Sequence, residues 1–198
     1  MIDATKTRIA DVPELIAITR GIPTQATSPT GELPVFSLPD LQSRCGAGRF
    51  ISGPELAATG VRIPQPGDTL ISLEGASVGD TFTVPDGSAE FVPSQQVAVV
   101  RVLDRSALDP WYLGAWLATE EARGQMRRLA RGAAVQRIPV KDLAALDLPP
   151  WRTRVYVARS IGEQFRTFQN AIKTHQDIVE HLKLMRSLGI AINFNDDL

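Results

Sequence analysis

At 198 residues and 43% hydrophobic content, the chain can form one ordinary domain with an appendage and is too apolar overall for global disorder. It contains no run of about 18 apolar residues, its N-terminus MIDATKTRIADV has no apolar core behind the charges, and its single cysteine, Cys45, has no internal partner. A membrane span, a secretory leader and a disulfide scaffold are therefore not expected, and the expected location is a reducing cytoplasm. The net charge of −1 is unhelpful for binding a polyanion, so such a ligand would have to meet a local patch.

From Met1 to about Ser106, short apolar stretches are broken by glycine and proline. VFSL (Val35–Leu38), TLISL (Thr69–Leu73), TFTV (Thr81–Val84) and VAVVRV (Val97–Val102) read as short strands bounded by turn sequences such as PGD and PDG. TFTV leads into Pro85-Asp86-Gly87, a tight turn. Asp109–Pro110 reads as a helix start, an acidic N-cap followed by proline at the first helical position. The spacing of Leu113, Trp116, Leu117 and Met126 predicts one helix to about Ala130, ended by Gly132. Pro139–Ala145 can form a short helix, and Leu146–Leu148 a last extended piece before Pro149 and Pro150.

Charge is concentrated in this part of the chain. Between Ala122 and Ser160, nine basic residues (Arg123, Arg127, Arg128, Arg131, Arg137, Lys141, Arg152, Arg154 and Arg159) are opposed only by Asp142 and Asp147, a local excess of seven. Across the chain the basic residues are 17 arginines and 4 lysines. Arginine offers a planar fork suited to phosphates and guanine edges. Solvated helix faces, or a GC-rich genome, would produce the same composition.

After the double proline, Trp151 to Leu188 contains no proline and one glycine, Gly162. Ile161, Phe165, Phe168, Ile172, His175, Val179 and Leu182 are spaced 4-3-4-3-4-3, a heptad seam. A helix of this length spans roughly 55 Å, more than a domain of about 150 residues can cover. Such a seam calls for a partner helix; the other option is a helix packed wholly on its own domain. The expected fold class is α+β: a mixed, β-rich domain over residues 1–150, one long C-terminal coiled-coil helix over 151–190 and a flexible tail, 191–198.

No catalytic constellation, metal site or cofactor loop is found. His175 and His181 are six residues apart on the terminal helix and do not share a face. His175 sits on the seam, where a polar residue can fix register. Cys45 has no histidine near it in sequence, Gly46–Gly48 is a single GxG, and no phosphate loop occurs. DPWY (Asp109–Tyr112) looks like the Asp-Pro-Pro-aromatic motif of amino-methyltransferases but lacks the second proline, and no glycine-rich S-adenosylmethionine loop accompanies it. It reads as a helix cap with buried aromatics.

The order of motifs is more specific than any one of them. GELPVFSLPDL (Gly31–Leu41), PGDTLISLEGASVG (Pro66–Gly79), SQQVAVVRV (Ser94–Val102), DPWYLGAWLATEEA (Asp109–Ala122) and GAAVQRIPVKDLAALDLPP (Gly132–Pro150) follow one another. In this order they resemble the target-recognition domain and following helix of type I restriction–modification DNA-specificity (S) subunits. The match runs from about Thr7 to Leu188. Two departures stand out. Family members often carry Glu-Gln directly after the double proline, whereas here Glu163–Gln164 come later. They also carry two recognition domains and two long helices, so this chain is either a natural half-subunit or a fragment cut at the internal repeat.

The resemblance implies a non-catalytic subunit that reads a DNA half-site. Its partners would be double-stranded DNA, methyltransferase (modification) subunits and a restriction subunit, and a second copy of the chain would complete a homodimer. For base reading, the loop with Gln42, Ser43, Arg44 and Arg49 has suitable composition, and Ser94 and Gln95 are further candidates. Arg128, Arg131, Arg137 and Lys141 suit phosphates. Two other readings stay open: a protein-interaction module built on the heptad helix, and a fragment of an S-adenosylmethionine-dependent methyltransferase.

Overall fold

The computed structural model describes residues 7–38, 40 and 48–187. Among these, the strands are β1 (Ile16–Arg20), β2 (Leu33–Phe36), β3 (Phe50–Ile51), β4 (Thr69–Ser72), β5 (Thr81–Thr83), β6 (Val92–Pro93) and β7 (Val97–Val102). The helices are α1 (Gly53–Thr59), α2 (Pro110–Leu117), α3 (Glu120–Leu129) and α4 (Val155–Ser187). The fold is α+β with a long C-terminal helix.

β7 is the axis of the larger sheet, whose order is β1-β7-β4-β5 with every pairing antiparallel. Its register runs from Ile16↔Val102 to Arg20↔Ala98 on one side and from Thr69↔Val100 to Ser72↔Val97 on the other. Side chains alternate along a strand, so Ala98, Val100 and Val102 face the helices with Ile71, Leu113, Leu117 and Met126. Val97 and Val99 face the opposite way, onto Leu70, Val84 and Phe91. A strand covered on both faces needs an apolar run instead of an alternating pattern, which is what VAVV supplies. The smaller sheet, β3-β2-β6, encloses Ile22, Val35, Ile51 and Val92.

Helix α2 begins where the sequence predicts it. Asp109 Oδ1 accepts the N–H groups of Trp111 (2.8 Å) and Tyr112 (2.9 Å), and Pro110 follows at the first helical position. The helix then lies close to the sheet at Gly114, where a Cβ would come within 2.6 Å of Thr83 Oγ1. The expectation of one helix to Ala130 is corrected: the chain breaks at Ala118–Thr119 and α3 restarts. Thr119 Oγ1 donates to the Trp116 carbonyl (2.7 Å) and accepts from Ala122 N–H (3.3 Å), closing one helix and capping the next. The apolar spacing concealed the break because both helices bury their residues in the same core. Nor does Gly132 cap α3, which ends at an extended Ala130. Gly132 (φ +114°) serves the next turn, where a Cβ would sit 2.3 Å from the Val135 carbonyl oxygen.

Residues Val140–Ala145 form a 3₁₀ helix. Leu146 and Leu148 then pair with the start of the chain, through Ile9 N–H to Leu146 O (3.0 Å) and Leu148 N–H to Thr7 O (2.7 Å). The long helix starts at Val155 and not at Trp151, because Trp151 is buried in the turn after the double proline. Its crossing point on the domain is Gly162, where a Cβ would lie 2.6 Å from Asp109 Oδ1. Two turns further on, the Arg166 Nε (2.7 Å) and Asn170 Nδ2 (2.7 Å) both donate to Asp86 Oδ2. Asp86 N–H returns a bond to Asn170 Oδ1 (3.0 Å). The Arg166 guanidinium holds the Asp86 carboxyl below its ordinary value, and also stacks over the Trp111 ring at 5.7 Å. Among the described residues no helix is long and apolar enough to cross a membrane.

The two central strands, β4 and β7, are pinned at one end by a buried ion pair. Asp68 is 1% exposed, and Arg101 Nε reaches both its carboxylate oxygens at 3.0 Å while Arg101 Nη2 donates to the Ile63 carbonyl at 2.8 Å. Removing the arginine would leave a buried carboxylate with no counter-charge. Arg101→Ala is expected to lower unfolding stability by about 3–5 kcal/mol, measured by urea denaturation at neutral pH. A loss under about 1 kcal/mol would mean that water replaces the arginine.

Candidate nucleic-acid interface

The sequence-predicted residues are distributed unevenly over the fold. Gln42, Ser43 and Arg44 lie outside the described residues. Arg49 is half-buried at the start of β3, where its carbonyl accepts Val35 N–H at 2.8 Å. Ser94 is corrected as a base reader: it is 4% exposed, wedged between β6 and β7, with its N–H on the Phe36 carbonyl (2.9 Å). Its hydroxyl has no hydrogen-bond partner among the described residues, and no base edge can reach it in this conformation. Backbone packing accounts for its burial, since a Cβ at Gly21 would lie 2.2 Å from the Ser94 carbonyl oxygen.

Three of the other candidates meet in one strip. Gln95 Nε2 donates to Thr24 Oγ1 (2.9 Å), and its carbonyl accepts from Arg20 Nε (2.7 Å). Arg20 Nη2 reaches Glu74 Oε1 (3.2 Å), and the other oxygen of the same carboxylate takes Arg137 Nη2 (3.1 Å). Arg137 and Arg131 exchange backbone hydrogen bonds (2.8 and 2.9 Å), and Arg131 Nη2 pairs with Asp142 Oδ2 (2.7 Å). The strip therefore carries three arginines held by two carboxylates. Glu74 is mostly enclosed (side chain 12% exposed), while Arg20 and Arg137 are open at 46% and 62%. Sequence reasoning missed Arg20 and Glu74. Arg20 ends a strand, IAITR, that follows a proline-containing turn and was not singled out. Glu74 lies between the strand TLISL and the glycine turn that follows, inside the Pro66–Gly79 motif, with no local signal of a charge partner.

Arg128 lies elsewhere, lining a shallow cleft with Arg8, Gln125 and Asp147. Lys141 is exposed on the 3₁₀ helix beside Asp142. Four of the nine basic residues of the window are answered by acids of the fold: Arg123 pairs with Asp80 and Glu120, Arg127 with Glu120, Arg131 with Asp142 and Arg137 with Glu74. Glu74 and Asp142 are mostly enclosed while Arg137 and Arg131 are open, so a phosphate can approach the exposed side of each guanidinium with the carboxylate still in place.

The heptad residues lie on the long helix beside the face that meets the domain. The inner row is Ala158, Gly162, Arg166 and Asn170. Ile161, Phe168, Ile172, His175 and Leu182 are exposed, Phe168 by 60%, and Phe165 and Val179 are half-buried. Ile178, outside the heptad count, is 53% exposed next to them.

No protein-family profile and no curated relative matches the sequence. Solved structures do match. The chain is similar to a type I restriction–modification system S subunit from M. genitalium, with a TM-score of 0.59 at 15% identity over 94% of this chain. It is similar to an HsdS subunit from Thermoanaerobacter tengcongensis (0.51, 21%, 86%) and to a chain of a type I restriction–modification assembly (0.51, 22%, 93%). The fold is that of type I S subunits. This chain spans 46%, 39% and 43% of the length of those chains, respectively. DPWY has no methyltransferase surroundings in this fold: Asp109 caps α2, and Trp111 and Tyr112 are buried.

Glu74 is the group to test. Glu74→Gln keeps the shape of the side chain while removing the charge shared by Arg20 and Arg137. Retention on a heparin column is expected to shift to higher salt, and Arg137→Ala to lower salt. Equal elution of wild type and Glu74→Gln would show that the two arginines stay tied down without that carboxylate.

Proposed function

We propose that this chain is a DNA-reading unit of a type I restriction–modification specificity subunit, non-catalytic itself. It would direct methyltransferase subunits, and a restriction subunit, to a bipartite site. The observation that carries this is the fold likeness to S subunits over 86–94% of the chain, joined to the five sequence motifs in the same order. The base contacts are assigned to Gln95, Arg49 and the loop holding Gln42, Ser43 and Arg44; the backbone contacts to Arg131, Arg137, Arg128 and Lys141, with Arg20 added from the structure. The side chains that touch bases specify, and the cations position.

The exposed seam supports a homodimer through α4. With 33 residues, the helix is about 50 Å long, and its apolar row has no cover from its own domain along Ile161, Phe168 and Ile172. The residues flanking the row between Ile161 and Val179 (Gly162, Gln164, Gln169, Ala171, Gln176 and Ile178) are uncharged, so two copies can pair without like-charge repulsion. A two-fold dimer sets two identical readers apart and requires two inverted half-sites around an unread spacer.

Selection of bound duplexes from a random pool is expected to enrich such an inverted repeat, and no enrichment would reject the DNA-reading role. Phe168→Asp combined with Ile172→Asp places two charges in the seam and is expected to give monomers with an intact domain, measured by light scattering and circular dichroism. A wild-type mass of one chain at micromolar concentration would overturn the homodimer and leave a helix from elsewhere as the seam's cover.

A further inference from the structure

Apart from Arg128, the arginines of the basic window fall into two groups. Arg123, Arg127, Arg131 and Arg137 have carboxylates against them. Arg152, Arg154 and Arg159, all exposed, have no carboxylate within ion-pair distance among the described residues. They gather at the root of α4 with a fourth cation from a different segment, Arg105. Arg105 and Arg159 line one cleft with Trp151, Val155 and Asp109. Arg152 lies over the Trp151 ring at 4.9 Å, and Arg154 N–H bonds the Trp151 carbonyl (3.4 Å). Arg105 is braced by the Pro66 carbonyl, which accepts from its Nη2 at 2.9 Å.

The two acids nearby are engaged as caps. Asp104 Oδ1 accepts from Ser106 N–H, Ser106 Oγ and Ala107 N–H, and Asp109 Oδ1 holds the first turn of α2. Arg105 and Arg159 line the cleft itself, Arg152 and Arg154 are exposed on the turn beside it, and the N-terminal end of a 33-residue helix adds positive potential. Unlike Glu74, neither Asp104 nor Asp109 forms an ion pair with an arginine among the described residues; their oxygens are taken by the backbone and Ser106.

We propose that this cleft is a second DNA-backbone site, one that grips phosphates without reading bases; the assignment rests on the DNA-reading role above. The topology places it well. Gln95 precedes β7 and Arg105 follows it, so the two cationic zones lie at opposite ends of that strand. Six residues of strand span about 20 Å, or about six base pairs of duplex at 3.4 Å each. A duplex read at the Glu74 strip and continuing towards the dimer's other half can be held again at the root of the helix.

The test is the salt dependence of duplex binding, by fluorescence anisotropy on a cognate and a random duplex. Each phosphate contact contributes about 0.9 to the log–log slope. Arg154→Gln with Arg159→Gln is expected to lower the slope by up to about 1.8 on both duplexes, equivalent to about a twelvefold smaller affinity loss between 50 and 200 mM salt. Arg105→Gln, on a separate loop, is expected to lower it by about 0.9 on its own, which guards against a folding defect in the helix variant. If wild type binds DNA and neither variant changes the slope, this site is overturned while the DNA-reading role stands, and the arginines would face an acidic protein surface instead. If wild type shows no salt-dependent binding, both fall together.

Discussion

Gly162 lies against the carboxylate that caps α2, and the arrangement of the molecule depends on that contact. A side chain at residue 162 would collide with Asp109, so the long helix crosses the domain at the N-terminus of α2 only because this position has no Cβ. The crossing buries Ala158 and turns the apolar row of Ile161, Phe168 and Ile172 sideways, clear of the core. Asp86, from the turn after β5, then engages Arg166 and Asn170 and stops the helix from rolling on its contact. The domain therefore presents its helix with one face committed and a second, apolar face open.

Electrostatics follow the same division. A chain with a net charge of −1 can still bind a polyanion if its acids are placed where they hold arginines without surrounding them. Glu74 does this for Arg20 and Arg137, keeping two guanidiniums side by side with 46% and 62% of their side-chain surface exposed. A phosphate can approach the open sides of these guanidiniums while the enclosed carboxylate preserves their spacing. In contrast, Asp68 is buried, and its pairing with Arg101 serves the sheet alone.

Much of this was readable in the sequence, and the failures have physical causes. The fold class, the β7 run, the Asp109–Pro110 helix start and the long helix were visible because each rests on a local signal: periodicity, capping or valine content. The break at Thr119 was not, because two helices burying their faces in one core keep an almost continuous apolar pattern. β1 was missed because IAITR is short and gains its strand identity from pairing with β7, a contact distant in sequence. Ser94 illustrates the opposite error. A polar residue beside a strand looked like a base reader, but a close approach of Gly21 and Ile22 buries it. The link between Arg20, Glu74 and Arg137 is tertiary, since the arginines are separated from Glu74 by 54 and 63 residues, and no spacing rule could reveal it.

The joint at Asp86 also has a mechanical consequence. From Asp177, the last described helix residue that lines a cleft with the domain, to Ser187 the helix extends roughly 15 Å, so this end behaves as a lever pivoted at the domain. A tilt of about 10° at the pivot would move the tip by about 3 Å, comparable with one base-pair rise. In the proposed homodimer, the distance between the two domains would be set by helix length together with the stiffness of one aspartate, one arginine and one asparagine.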